Sequence, residues 1–463
     1  MIQFNNDDTI VALATPSGSS GIAVIRLSGS HAFKISDKLF HGKKPGDQKS
    51  HTLHFGKIMD KDSIVDEVVI SIFKGPHSYT GEDTIEISCH GSLFVIQKIL
   101  SLCLAEGARN ALPGEFTKRA FMNGKLDLSQ AEAVADLIAS ENESQHRIAL
   151  QQMRGGYSEK IKEIRQQLID FAALLELELD FSEEDVEFAD RQKFLSLLDS
   201  SIETIDQLTT SFNMGNVIKK GIPITIVGKP NVGKSTLLNR LLNEEKAIVS
   251  DIPGTTRDYI EDVLQINGIA YRFIDTAGIR STTDILESKG IERSLEKIRE
   301  ARIILYLADI NAPLNDIVSD FKSFHFEPEQ HIIIVLNKSD ETDSFCNAYD
   351  IEEAVATLTK KQTLEISAKL NRNIDKLLSL LEKATGIHHF SSDLVVSNAR
   401  HLEAFIDANK SLRAARKGLT EKVSGEFVSI DIRSALQALG SITGQISNED
   451  VLSSVFSRFC IGK

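Results

Sequence analysis

The residues best suited to chemistry lie in one short stretch, "GKPNVGKS", Gly228 to Ser235. It matches G-x-x-x-x-G-K-[ST], follows the apolar run "IPITIVG" and precedes "TLLNRLLN". That strand–loop–helix setting is what a phosphate-cradling loop needs. Gly228 and Gly233 let backbone N–H groups close on phosphate oxygens, and Asn231, Val232 and Thr236 complete the loop and its exit. Lys234 puts positive charge between the β- and γ-phosphates, and Ser235 offers a hydroxyl to Mg²⁺.

Further motifs extend this reading to GTP. In "DTAG", Asp275, Thr276, Ala277 and Gly278, the carboxylate reaches Mg²⁺ through water and the Gly278 N–H senses the γ-phosphate. In "NKSD", Asn337 and Lys338 lead to Asp340, which can accept from the N1–H and 2-amino groups of guanine. Adenine lacks that donor pair. "SAK", Ser367, Ala368 and Lys369, closes over the base. "SDIPGTTRD", Ser250 to Asp258, supplies Thr256 to the Mg²⁺ shell, while Arg257 reads as a surface arginine. Order and spacing predict a GTPase of the Ras-like class. One position departs from it: Ile279 follows Gly278 where a glutamine would orient the attacking water. Arg280, Asp284, Glu287 and Glu292 lie just beyond, and residue type alone does not choose among them.

The elements that must hold these motifs alternate strand and helix from about 221 to 382, which predicts a doubly wound, mostly parallel sheet. Before it, "TIVALAT", "GIAVIRLSG", "EVVISIF" and "TIEISCHG" read as strands of a small α+β domain, closed by a helix over "SLFVIQKILSLCLAEGA". From about 119 the pattern is helical, with Ile161, Ile164, Leu168, Phe171 and Leu175 on one face. It is helical again to the end, so the last block is expected to pack on the earlier helices, with the α/β part inserted. The expected division is 1–118, 119–218, 219–382 and 383–463. Between Glu176 and Asp190 eight residues are acidic and none basic, read as a solvated helix end without calcium-loop spacing.

The 463 residues are 41% apolar and 25% charged, with net charge −14, as in a soluble multidomain protein that does not coat nucleic acid. No apolar run is long enough to cross a bilayer, so no membrane association is expected. "MIQFNNDDTIVALATP" lacks a basic region followed by an apolar stretch, and a cytoplasmic protein is expected. No C-x-x-C pair occurs, and Cys89, Cys103 and Cys346 are expected to be buried. Cys460 lies in the terminal "SRFCIGK". A prenylation box fits Gly462 and Lys463 poorly. A frayed end is the default for a terminus, but "VLSSVFSRF" is apolar at helical spacing and would carry the tail to a docking site.

Taken whole, the chain resembles the MnmE (TrmE) family of tRNA-modification GTPases. "DTIVALATPSGSSGIAVIRLSG", "SYTGEDTIEISCHG", "PGEFTKRAFMNGKLDLSQAEAVADLI", the GTPase motifs with "DIPGTTRD", and "FCIGK" occur in order. The resemblance implies an N-terminal domain that binds folate and dimerises, and a two-segment helical domain with the GTPase domain inserted. It implies a homodimer whose GTPase domains meet across K⁺, at positions matching Asn231, Ser250, Ile252 and Thr255, with Glu287 orienting the water. It places 5-formyl- or methylene-tetrahydrofolate at Arg26, Glu86, Lys125 and Lys463, with Cys460 nearby as nucleophile, acid or structural element. It implies an FAD-dependent MnmG-type partner, with FAD held by that partner alone. Together they would install an aminomethyl-type group, commonly carboxymethylaminomethyl, at C5 of the wobble uridine of certain tRNAs. The stretch 398–418, with five basic and two acidic residues, is a candidate tRNA or partner surface or, equally, a solvated helix. The alternatives are an RNA-binding switch GTPase of ribosome assembly or translation, and a folate enzyme whose GTPase domain only regulates it.

Overall fold

The computed structural model describes residues 8–180, 190–244, 262–266, 268–274, 298–341, 351, 353, 361–385, 394–421, 423–446, 449–457 and 459–463. They divide into two compact units. The first holds residues up to 139, 149–205 and 403–463; the second holds 140–148 and 206–402.

The first unit opens with β1 (Ile10–Leu13), β2 (Ser20–Ser28), α1 (Ala32–Leu39), β3 (Phe40–His41), β4 (Thr52–Asp60), β5 (Ser63–Phe73) and β6 (Thr84–Gly91). Helix α2 (Leu93–Ala105), β7 (Arg109–Asn110) and α3 (Glu115–Met122) follow. The described strands form one sheet in the order β3-β4-β5-β6-β2-β1-β7, antiparallel except where β7 joins β1. Period-two alternation sorts the side chains. Ile25, Leu27, Ile70, Ile72, Ile85 and Ile87 are buried in one core with Ile35, Ile96, Ile99, Cys89 and Cys103. Arg26 and Glu86, directly paired in register, take the other face.

Helices α4 (Leu128–Ile138), α5 (Glu143–Met153), α6 (Ser158–Asp180) and α7 (Arg191–Lys220) come next. Asp127 caps α4 in a reciprocal box with Gln130. On α6 the predicted stripe Ile161, Ile164, Leu168, Phe171 and Leu175 is buried.

The second unit is built on β8 (Ile222–Val227), α8 (Lys234–Glu244), β9 (Asp262–Ile266), β10 (Ile269–Phe273), β11 (Ile303–Asp309), α9 (Leu314–Ser323), β12 (His331–Asn337), β13 (Lys361–Glu365) and α10 (Ile374–Thr385). Its described strands run β13-β12-β11-β8-β10-β9, all parallel pairs except the β9–β10 hairpin. The strands read as nearly continuous apolar runs because both faces are covered. Leu305 and Leu307 of β11 enter one core, and Ile304, Tyr306 and Ala308 enter the other. The loops after β8, β12 and β13 therefore emerge together at the strands' carboxyl ends, where such sheets bind ligands.

Helices α11 (Ala399–Thr420), α12 (Gly425–Thr443) and α13 (Glu449–Phe456) complete the chain. Within the first unit α12 lies on α6: Arg165 Nε donates to Leu436 O at 3.3 Å, and Arg433 pairs with Glu176 at 2.5 Å. Leu452, Val455, Phe456 and Phe459 pack with Leu128, Ala131 and Val134. Among the described residues no helix is long and apolar enough to cross a membrane.

Candidate nucleotide and ligand sites

The chain leaves β8 at Val227 and turns through Gly228–Gly233 into α8. Gly228 (φ +139°) lies against β11, so a Cβ there would sit 2.1 Å from Leu307 O. At Gly233 (φ +102°) a Cβ would come 2.3 Å from Asn337 Nδ2. Both positions require glycine. Asn231, at φ +62°, also adopts the left-handed region. Lys234 Nζ arches back to donate to Gly228 O at 2.5 Å and Lys229 O at 2.9 Å. Burial lowers its pKa below the usual lysine value, against a smaller opposing pull from Asp320. Ser235 and Thr236 occupy the first turn of α8.

One buried amide ties the three loops together. Asn337 Nδ2 donates to Val232 O at 2.9 Å, and Asn337 Oδ1 accepts from the Ala368 N–H at 2.9 Å. Lys338 (φ +68°) donates to Asp309 Oδ2 at 2.6 Å, and that bond raises the lysine's pKa. Burial pushes the Asp309 carboxyl up, but the Lys338 and Asn311 bonds outweigh it and its pKa is lowered. Asp340 Oδ1 accepts from Ser367 Oγ at 2.6 Å, which holds this half-buried carboxyl below its ordinary value. Ser367 Oγ also accepts from Leu370 N at 3.0 Å, and Arg240 of α8 donates to Ala368 O and Lys369 O. A glycine-lined loop, an ammonium and an ionised carboxylate thus share one end of the sheet.

A second constellation lies in the first unit. Arg26 Nε donates to Glu86 Oε1 at 2.8 Å, and the guanidinium carbon stands 5.3 Å from the Tyr79 ring centroid and 5.6 Å from that of Phe116. Arg26 Nη1 is buried and unbonded. Leaving such a donor unmade costs about 1–3 kcal/mol. The tail reaches this place. Gly462 (φ +101°) is buried, and a Cβ there would lie 2.1 Å from Leu13 O. The Gly114 N–H points to Cys460 O at 3.5 Å. Lys463 has its pKa lowered, first by burial and then by the charge of Arg26, while that of Glu86 opposes. Lys125 donates to Pro76 O at 3.0 Å, in the same 75–81 loop that carries Tyr79. Cys460 is exposed. Below Phe116, Arg109 grips the buried Glu115 with two bonds, at 2.6 and 3.0 Å, and Arg119 joins Glu115, Asp8 and Glu82. Burial opposes ionisation of Glu115, but the Arg109 and Leu112 N–H bonds outweigh it and its pKa is lowered.

Ser250, Ile252, Thr255, Thr256, Arg257, Asp275, Thr276, Ala277, Gly278, Ile279, Arg280, Asp284, Glu287, Glu292 and Cys346 lie outside the described residues. Cys89 and Cys103 are buried as expected, and burial raises their thiols to about 11 and about 12. Among the described residues no three His, Cys, Asp or Glu side chains gather as a metal site. Sequence reading missed Asp309, Arg240, Tyr79 and Phe116. The one available signal was positional: Asp309 ends the apolar strand "IILYLAD", at the edge where β8 and β12 also end.

The fold and these loops define a multidomain α/β protein with a phosphate-loop nucleotide site. A family model described as "MnmE helical domain" matches residues 128–460, and one described as "GTP-binding protein TrmE N-terminus" matches residues 9–125. The chain is 51% identical to a tRNA modification GTPase MnmE of Flavobacterium johnsoniae, over 99% of this chain and 100% of the relative. It is 49% identical to that of Cytophaga hutchinsonii, over 99% and 98%, and 46% identical to that of Bacteroides thetaiotaomicron, over 99% and 100%. The chain belongs to the MnmE family of tRNA modification GTPases. It is an enzyme, a GTP hydrolase of tRNA modification.

Proposed function

We propose that the second unit is an inserted Ras-like GTPase module selective for GTP. It serves a folate-dependent modification at C5 of the wobble uridine, performed with an FAD-dependent MnmG-type partner and yielding an aminomethyl-type (carboxymethylaminomethyl) group. The observation that carries this is the single amide of Asn337 joining the Gly228–Gly233 loop to "SAK" beside Asp340. In this reading the loop N–H groups and Lys234 hold the phosphates, Asp340 reads the guanine edge, and Ser367, Ala368 and Lys369 close over the base.

The donor types of these residues suit the proposed groups. Ser235, next to Lys234 at the start of α8, would ligate Mg²⁺ together with Thr256 and Asp275. Asn231 would offer its side-chain oxygen to K⁺, together with Ser250, Ile252 and Thr255. A cation there supplies charge stabilisation to phosphoryl transfer. Glu287 is assigned to orienting the water. In the first unit the orphan Arg26 Nη1 suits an acceptor on a bound tetrahydrofolate, Glu86 its ring donors, and Lys125 and Lys463 its anionic tail. Bound folate supplies the one-carbon unit. Homodimerisation is supported by Leu53 and Phe55 of β4 and Val69 of β5, apolar side chains left in solvent on one face of the sheet.

The test is Lys234→Ala. GTP turnover with Mg²⁺ and K⁺ should fall by about 10²–10³-fold, the scale for removing one preorganised donor, and uridine modification with the partner should fall with it. Unchanged turnover would remove the loop from catalysis. Modification that persists after turnover is lost would favour a folate enzyme with a merely regulatory GTPase module.

A further inference from the structure

Strand β11 ends on Asp309 and β12 on Asn337, and the two residues are paired directly in register. One residue further, Lys338 takes the left-handed backbone conformation, φ +68°. A residue with a Cβ adopts it only at a cost, so neighbouring contacts have to hold it there. They come from the end of β11. The Ile310 N–H donates to Asn337 O at 3.0 Å, and Lys338 Nζ donates to Asp309 Oδ2 at 2.6 Å. Asp309 is fixed in turn. Its Oδ1 accepts from the Asn311 N–H at 3.0 Å and from Asn311 Nδ2 at 3.2 Å. The same Nδ2 reaches Glu341 Oε2 at 3.3 Å.

The turn after Lys338 carries the carboxylate assigned to the guanine edge. The Glu341 N–H donates to Lys338 O at 3.0 Å, which closes the turn on itself, and the Ser339 N–H donates to Ile366 O at 3.0 Å. Asp340 lies between these two residues, its Oδ1 accepting from Ser367 Oγ at 2.6 Å. The turn is therefore fastened from the β13 side by Ile366 and Ser367, and from the β11 side by Asp309 and Asn311. The first pair adjoins or belongs to "SAK". The second lies in "ADINA", which is outside every nucleotide motif of the sequence.

The exposure of the ion pair decides what kind of role it has. The side chains of Lys338 and Asp309 keep 31% and 23% of their surface in solvent, and pairs this open to water contribute little to overall stability. A charge-assisted bond is nevertheless short and directional. Displacing a positioned functional group by about 1 Å can cost about 10²-fold. The pair thus acts on aim far more than on stability.

We propose that Asp309 is a specificity-determining positioning residue: by holding Lys338 Nζ it fixes the turn that aims Asp340 at the N1–H and 2-amino groups of guanine, with Asn311 holding Asp309. The inference rests on the GTPase reading above and adds to it the residue that sets how sharply guanine is read.

The experiment uses the full chain with Asp309→Asn, which keeps an acceptor for Asn311 and loses the charge facing Lys338. Affinities for GTP and inosine triphosphate are measured by competition against a fluorescent GDP analogue, together with KM and kcat for GTP. Inosine triphosphate keeps the N1–H and lacks the 2-amino group, so it reports one of the two bonds that Asp340 makes. GTP should bind about tenfold more weakly, the scale of one bond to a charged group. Inosine triphosphate should lose no more than about threefold, so the preference for GTP shrinks at least about threefold, and KM for GTP rises by a larger factor than kcat falls. Lys338→Met, which keeps the stem and drops the ammonium, should give the same shift. Adding Asp309→Asn to it should cost less than about a further twofold, as for two residues acting as one unit. Asn311→Ala should move the preference the same way by a smaller factor, and it carries the test if Asp309→Asn does not fold. The proposal is overturned by an unchanged preference in folded Asp309→Asn or, failing that, in Asn311→Ala. Equal loss of both nucleotides, or additive losses in the double variant, would overturn it as well. Failure of the unmodified chain to bind GTP would overturn the GTPase reading and this inference with it.

Discussion

The two candidate sites are made in opposite ways. The phosphate loop is contiguous backbone: six residues after one strand, shaped by two glycines and fastened by one buried asparagine. The constellation around Arg26 is side chains from scattered places, with Arg26 and Glu86 from paired strands, Tyr79 and Phe116 from a loop and a helix, and Lys463 from the end of the chain. A backbone site tolerates little change at its glycines. An assembled site depends on how well each distant segment docks.

The largest effect that would sharpen this contrast is at the base pocket. Asp340→Asn should shift nucleotide preference from guanine toward xanthine by at least about 10²-fold, because a donor pair left without its carboxylate is strongly rejected. Competition binding of GTP and xanthosine triphosphate checks it, and unchanged selectivity would take Asp340 out of the base pocket. Next comes Gly462→Ala. Its Cβ would meet Leu13 O, costing about 1–3 kcal/mol in strain, which should weaken 5-formyl-tetrahydrofolate about tenfold or more while leaving GTP turnover alone. Equal loss at both sites would break the contrast.

The smallest effect concerns pH. The Ser367 hydroxyl holds Asp340 below the ordinary value of 3.8. The lowered pKa means that the benefit of the ionised form is complete above the ordinary value and is lost as pH falls through the lower, folded-state one. Ser367→Ala should therefore move the acid limb of GTP binding to higher pH. An acid limb that stays in place would detach Ser367 from Asp340.

What could be read in sequence follows the same division. "GKPNVGKS" carries its geometry in adjacent residues, and the α6 stripe carries its burial in helical spacing. Strand β4 was not read, because Leu53 and Phe55 point to solvent and blur its alternation. The Asp309–Lys338 pair, the Arg240 bonds to Ala368 and Lys369, and the ion cluster of Asp8, Glu82, Arg109, Glu115 and Arg119 span residues far apart in the chain. Periodicity does not encode such pairs; strand order and register create them. The tail shows both sides: its apolar spacing announced docking, but only the register of β2 on β6 and the fit of Gly462 on Leu13 show where it goes.

In the proposed function the last four residues, Cys460 to Lys463, complete a folate site in the N-terminal region of the chain. The most direct test is calorimetric titration of 5-formyl-tetrahydrofolate into the full chain and into a chain ending at Phe459. The account predicts binding to the full chain that is lost or greatly weakened by truncation, with GTP turnover unchanged. Equal binding to both chains, or binding to neither, would contradict it.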